Sequence, residues 1–316
     1  MEEKINKKMD KKKIILFVVI TYAIAWIFMI PTSLYYRGHQ DATGTMVFRI
    51  GAMAGMFAPL LGALIVNKGL RGMGWVPKIK GNVKWIFWAI LVAAVSIVGG
   101  AALFYAIFPD LFDTTGSYII STGKSAGIDI VAELESKGLS LSTYFIIQAI
   151  AAFTYGPLIN VFFTIGEEAG WRGFLYPELR KGFGRIPAWI IGGSIWSVFH
   201  FPLIVIAGYE YGFDYIGAPL LGLLVFTLSC IIMGLLHEII YDKTKCIWFP
   251  AFLHGVINAA AGLALFFWNV NSDGKAEKDM IFGPASNGII GMIPMAIIAV
   301  IMAVIVIKGN KSKSGQ

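Results

Sequence analysis

Charge is what this sequence has least of. Only 14% of its 316 residues are Asp, Glu, Lys or Arg, where soluble domains carry about a quarter. Apolar residues make up 57% even before the 36 glycines are counted, which leaves too little polar surface to cover a soluble core. A water-soluble globule is excluded, and lipid is the solvent that fits. A basic amphipathic face is missing too. The 26 basic and 19 acidic residues, a formal net charge of +7, lie in short terminal runs and loops, which excludes nucleic-acid binding and disorder. Cysteine is nearly absent: Cys230 and Cys246 fall in or beside apolar runs without CxxC spacing and read as free core thiols. No internal repeat, low-complexity tract or second domain is visible, so 1–316 reads as one integral membrane domain.

What is present is a series of apolar runs long enough to cross a bilayer. They lie at about Ile14 to Ile30, Met46 to Val66, Trp85 to Phe108, Tyr144 to Thr164, Pro187 to Ala207, Pro219 to Ile240, Ile247 to Phe267 and Ile289 to Ile307. The expected fold is all-α, a polytopic bundle of about eight transmembrane helices with an intramembrane polar cavity. Lys4, Lys7, Lys8, Lys11, Lys12 and Lys13 put the N-terminus in the cytoplasm by the positive-inside rule. Alternate loops agree, with Lys68, Arg71, Lys78, Lys80 and Lys84, then Arg180, Lys181 and Arg185, then Lys243 and Lys245, then Lys308, Lys311 and Lys313. The intervening loops hold Asp110, Asp113, Asp129, Glu133, Glu135, Glu210 and Asp214 against Lys124 and Lys137. Both termini are therefore expected in the cytoplasm, of a cell-membrane protein. A signal peptide ending at Ala23-Ile24-Ala25 is the rival for the first run, but the apolar stretch continues to Ile30, longer than an ordinary signal core.

Ionisable groups inside spans cost a few kcal/mol each unless paired or hydrated, so they mark function. The densest cluster is Gly166-Glu167-Glu168-Ala169-Gly170-Trp171-Arg172, with no proline until Pro177, and His200, His254 and Asn258 join it. Helical spacing lets Glu168 pair with Arg172 and turns Glu167 away, a carboxylate free to act as a general base. His254 and Asn258 share a face, as do Trp196 and His200. A hairpin turning at Phe183 and Gly184 brings Glu167 level with His200, about 24 Å of helix from the turn. His254, about 10 Å above the inner start of its helix, meets them only through tilt or a water-filled cavity opening to the cytoplasm. Glycines 166, 170, 173, 192 and 193 allow close helix approach, Gly156-Pro157 permits a kink, and Gly51 and Gly55 form a weak packing motif. His39 and His237 lack polar company and read as structural or solvated.

Two carboxylates, two histidines and an asparagine in a bundle are the ingredients for hydrolysing an amide with activated water. A metal version, zinc for example, would use Glu167, His200 and His254 as ligands; no HExxH pair is present, and metal-free chemistry is favoured. Glu167 to Arg172 resembles the EExxxR motif of the CAAX-processing and bacteriocin-processing (CPBP, Abi) intramembrane endopeptidases. Trp196-x-x-x-His200 stands where that family has FxxxH, and His254-x-x-x-Asn258 resembles its third motif, over about residues 144 to 260. The resemblance implies that Glu167 with His200 activates the attacking water and that His254 and Asn258 stabilise the oxyanion. Glu168 and Arg172 then orient the helix or hold a polar substrate end. The family itself is read both as metal-dependent and as glutamate-dependent. The expected partners are a membrane-associated peptide or protein substrate and the bilayer, with no nucleic acid; helix-packing glycines leave the oligomeric state open. The competing reading is a non-catalytic transporter, scaffold or immunity factor that reuses the same polar cluster.

Overall fold

Asp10 caps the first helix by accepting the Lys13 backbone N–H at 3.1 Å, and the apolar run behind it stays helical through Pro31 as α1 (Lys11–Gly38). The computed structural model describes residues 9–272 and 274–314. Lys4, Lys7 and Lys8 lie outside the described residues, as do the side chains of Lys311 and Lys313. The second passage is α2 (Ala42–Gly55) and α3 (Ala58–Asn67), broken before Pro59, and α4 (Lys84–Ile107) is the third. A long connection then carries the short helices α5 (Ser117–Ser125) and α6 (Ile130–Ser136).

The fourth passage departs from expectation. It is longer than the apolar run and bent by 47° between α7 (Leu141–Phe153) and α8 (Gly156–Gly170), where Pro157 cannot donate to the preceding turn. It also does not stop at Pro177. A π-helical turn at Trp171–Leu175 lets the Tyr176 N–H reach the Trp171 carbonyl, and the chain runs on as α9 (Tyr176–Phe183). Pro177, at the start of α9, has no N–H to leave unsatisfied there. The turn at Gly184, with φ +76°, leads into α10 (Arg185–Ala207).

The remaining elements are α11 (Leu220–Thr244), α12 (Trp248–Ala260) with a 3₁₀ extension to Phe267, α13 (Lys275–Asp279) and α14 (Ile293–Ser314). Six passages are long and apolar enough to cross a membrane, and seven with the bent pair. The apolar part of α14, Ile293–Gly309, begins later than the expected Ile289 because 289–292 forms a turn. The protein is an integral membrane helix bundle; the one β contact among the described residues is an isolated bridge between Phe112 and Trp268.

In this bundle α8 packs on α12 and α3, and α10 packs on α11 and α1. Glycine makes these contacts possible. A Cβ at Gly166 would lie 2.6 Å from the Met56 carbonyl oxygen, and one at Gly170 2.5 Å from the Pro59 carbonyl oxygen, so α8 lies directly on the α2–α3 break. Gly193 meets Ile231 in the same way, its Cβ position lying 2.5 Å from that Cα. At the basic end, Arg180 bonds Glu238 (2.5 Å) and Asp242 (2.8 Å), and Arg185 bonds Asp242 (2.6 Å), tying α9, α10 and α11 together.

Candidate active site

Glu167 is 1% exposed, and its Oε2 accepts the indole N–H of Trp196 at 2.6 Å and that of Trp171 at 3.1 Å. Its other oxygen carries no hydrogen bond from the described residues. The separation of the two carboxylates expected from helix geometry is observed. Glu168 turns the opposite way and accepts from Arg172 Nη1 at 2.8 Å, both side chains being fully buried. The same Oε1 lies 3.0 Å from His254 Nδ1. An Nδ1–H that donates to a carboxylate fixes the ring's orientation and leaves Nε2 for other work. His200 is held similarly, its Nδ1 3.0 Å from the Trp196 carbonyl.

Trp196 is the centre of this arrangement. The Arg172 guanidinium lies 4.2 Å over its ring, and the rings of His254, His237 and His200 stand around it at 5.4, 5.9 and 6.3 Å. A phenylalanine would supply the aromatic face but not the indole N–H, so the departure from FxxxH changes the chemistry of Glu167. Trp196→Phe should lower activity about tenfold and cost about 1 to 3 kcal/mol of stability, because a buried carboxylate loses one of two donors. Activity in membranes and thermal unfolding in detergent check this together; a variant equal to wild type in both would show that the bond does not hold Glu167.

His200, His254 and Asn258 line a cavity of about 580 Å³ together with Trp196, Asn160 and the apolar side chains of Met53, Met56 and Phe226. The fourth, fifth and seventh runs therefore do converge. Glu167 makes no direct hydrogen bond to either imidazole and sits behind the Trp196 indole. Glu168 and Arg172, fully buried, are out of reach of a substrate and instead support His254.

The donors whose ligating atoms lie within 4.8 Å of one another are Glu168, His237 and His254, not Glu167, His200 and His254. Glu167 is turned to two indoles and His200 to a carbonyl, so neither completes that set. Of the two readings of His237, structural or solvated, burial leaves the structural one: it is fully buried, its Nδ1 lies 2.6 Å from the Met233 carbonyl, and its Nε2 has no partner among the described residues. Its only sequence signal was a histidine inside an apolar run. The cavity extends toward the end of α10 opposite the basic turn. Its wall is completed by Gly208 to Glu210, Gly212 and Ala285 to Asn287, beyond the far end of α10, a 23-residue helix that starts at Arg185 and so rises about 34 Å. His200 is seven residues, about 10 Å, from that far end. The depth mismatch for His254 disappears because α12 begins inside the bundle. Cys246 and Ile247 are fully buried, and Ile247 N–H bonds the Gly74 carbonyl at 3.0 Å.

Two other wall residues were missed. Asn160 lies two turns before Glu167, a spacing that places both on one helix face. Glu210 was legible only as a loop charge. The missed signal for Asn160 was that spacing.

A multi-pass bundle whose helices converge on buried carboxylates, imidazoles and an amide at one cavity defines a membrane protein with an intramembrane polar site. Residues 145–260 match the family described as type II CAAX prenyl endopeptidase, Rce1-like. Over 93 residues the chain is 34% identical to a Methanococcus maripaludis protein named CAAX prenyl protease 2, a match covering 29% of this chain and 34% of that one. The chain thus spans about a third of the length of the curated relative it matches.

Proposed function

We propose that the protein is an intramembrane endopeptidase that hydrolyses a peptide bond in a membrane-associated peptide or protein tail. The observation that carries this reading is the shared cavity wall of His200, His254 and Asn258, with Glu167 held directly behind it by Trp196. Water between the free Glu167 oxygen and His200 Nε2 gives its proton to the carboxylate as its oxygen bonds to the carbonyl carbon. The carbonyl oxygen takes up the negative charge. Asn258 Nδ2 donates to it beside His254, whose ring Glu168 fixes through Nδ1. When the C–N bond breaks, Glu167 returns the proton to the leaving nitrogen.

The triad of Glu168, His237 and His254 suits a divalent metal poorly. Arg172 already neutralises the one carboxylate, and a guanidinium 2.8 Å from that ligand oxygen repels a second cation. No step is routed through a metal.

The side of action follows from charge. If the basic loops are cytoplasmic, the cavity takes its substrate from the extracytoplasmic face. Exported peptides, pheromones or bacteriocin leaders among them, reach such a mouth; a tail kept in the cytoplasm does not. The test compares membrane peptidomes of cells carrying wild-type protein or Glu167→Gln. Cleavage products should appear only with the wild type, and identical peptidomes refute the peptidase. For the side of action, Asp214→Cys on the mouth loop and Lys78→Cys on the basic end are placed in a background lacking Cys230 and Cys246. An impermeant maleimide should label Asp214→Cys in intact cells and Lys78→Cys only after permeabilisation; the reverse pattern puts the cavity on the cytoplasmic face.

A further inference from the structure

Three non-glycine residues in the described chain adopt positive φ: Lys68, Glu210 and Lys245. Lys68 and Lys245 are the left-handed caps that end α3 and α11, the ordinary way to close a helix. Glu210 has no such duty. The left-handed cap of α10 is Gly208, and Glu210 follows two residues later with φ +73°, between glycines 208 and 212 at +66° and +74°. A side chain there costs about 1 to 2 kcal/mol relative to glycine, so the fold spends stability to place this carboxylate. Strain of that kind points to a role for the side chain.

The side chain is built into the cavity wall. Its Oε2 accepts from Asn287 Nδ2, and Asn287 is fixed in turn by Tyr211, whose hydroxyl donates to the Asn287 carbonyl at 2.8 Å. The neighbouring Tyr209 ring lies parallel to the His200 ring at 6.5 Å, and Glu210 lines with both a cavity of about 580 Å³, a volume about 10 Å across, or about three extended residues. Among the described residues Glu210 is the one carboxylate that lines the cavity, no lysine or arginine lines it, and Glu210 joins no ion pair. Burial pushes its carboxyl up from the usual range, although hydrogen bonds from Tyr209 and Asn287 oppose this. An arriving cation would restore the balance. The rest of the wall is flexible and apolar, with Met53, Met56, Met233 and Met280, which suits a variable apolar segment.

We infer that Glu210 is the specificity determinant of the cavity, receiving a cationic group of the peptide, a lysine or arginine side chain or a free N-terminal ammonium, within about three residues of the cleaved bond. An anionic end, such as a free C-terminal carboxylate, is repelled from the same position. This rests on the peptidase reading.

The test uses the full-length protein in proteoliposomes and N-acylated fluorogenic peptides that differ only by Lys, Gln or Glu at each scanned position. Wild type should prefer Lys over Glu at one position by at least about tenfold in kcat/KM, the value of one charge-assisted hydrogen bond. Glu210→Gln should bring the Lys peptide down to the level of the Gln peptide, and Glu210→Lys should reverse the order. A preference that survives both substitutions in folded protein overturns the inference, as does the absence of any charge preference in wild type. Binding of the same peptides to Glu167→Gln protein, read by fluorescence anisotropy, separates the two readings. If wild type cleaves nothing but the Lys peptide still binds in a Glu210-dependent way, the peptidase fails and the cation site stands; if binding ignores charge, the cation site fails whatever cleavage shows.

Discussion

Glu167→Gln should lower peptide hydrolysis by about 10²- to 10⁴-fold, the contribution of a positioned general base, with the bundle still folded. The side-chain amide keeps the shape of the carboxylate and one acceptor oxygen for the Trp196 and Trp171 indoles, which hold Oε2 at 2.6 and 3.1 Å. What it loses is the capacity to take a proton from water. The loss should fall on kcat, since Glu167 is 1% exposed and offers almost no surface to bound peptide. Turnover of a membrane-anchored reporter, measured beside thermal unfolding, checks both halves. Retained turnover in folded Glu167→Gln protein would remove this residue from the chemistry and leave the base to be sought elsewhere.

Arg172→Met is expected to be the most destabilising single change in the site, by about 3 to 5 kcal/mol, the usual result of removing one partner from a buried ion pair. Arg172 and Glu168 are fully buried in one turn of helix at 2.8 Å. Removing the cation strands a carboxylate that also holds His254 Nδ1 at 3.0 Å. Much of the loss should return in the double variant Glu168→Gln with Arg172→Met, which removes the stranded charge yet keeps an oxygen for His254. Thermal unfolding of the two single variants and the double gives the coupling. A double variant no more stable than Arg172→Met alone would show that packing of the guanidinium on Trp196, 4.2 Å away, and not charge, is what Arg172 supplies. Activity should not return with stability, because an amide oxygen at 168 holds the His254 Nδ1–H more weakly than a carboxylate does.

Lipid solvent, helical class and the approximate spans were legible in composition and run length, because a bilayer admits so few ways to satisfy the backbone. The three motifs were legible as well, and so was the opposed orientation of Glu167 and Glu168, since both depend only on the local 100° step between helical residues. Local rules do not carry past one helix. That His254 bonds Glu168, that His237 joins the same cluster, that Trp196 donates to Glu167 and that the cavity wall extends beyond the far end of α10 all depend on how separate helices meet. Those meetings were decided by the approach of α8 to Pro59 at Gly170, the π turn before Pro177 and the burial of Cys246 and Ile247 beneath Gly74. The first and last are contacts between residues far apart in sequence, set by side-chain volume and backbone hydrogen bonding that no periodicity along a single segment encodes, and the π turn is a local departure from that periodicity.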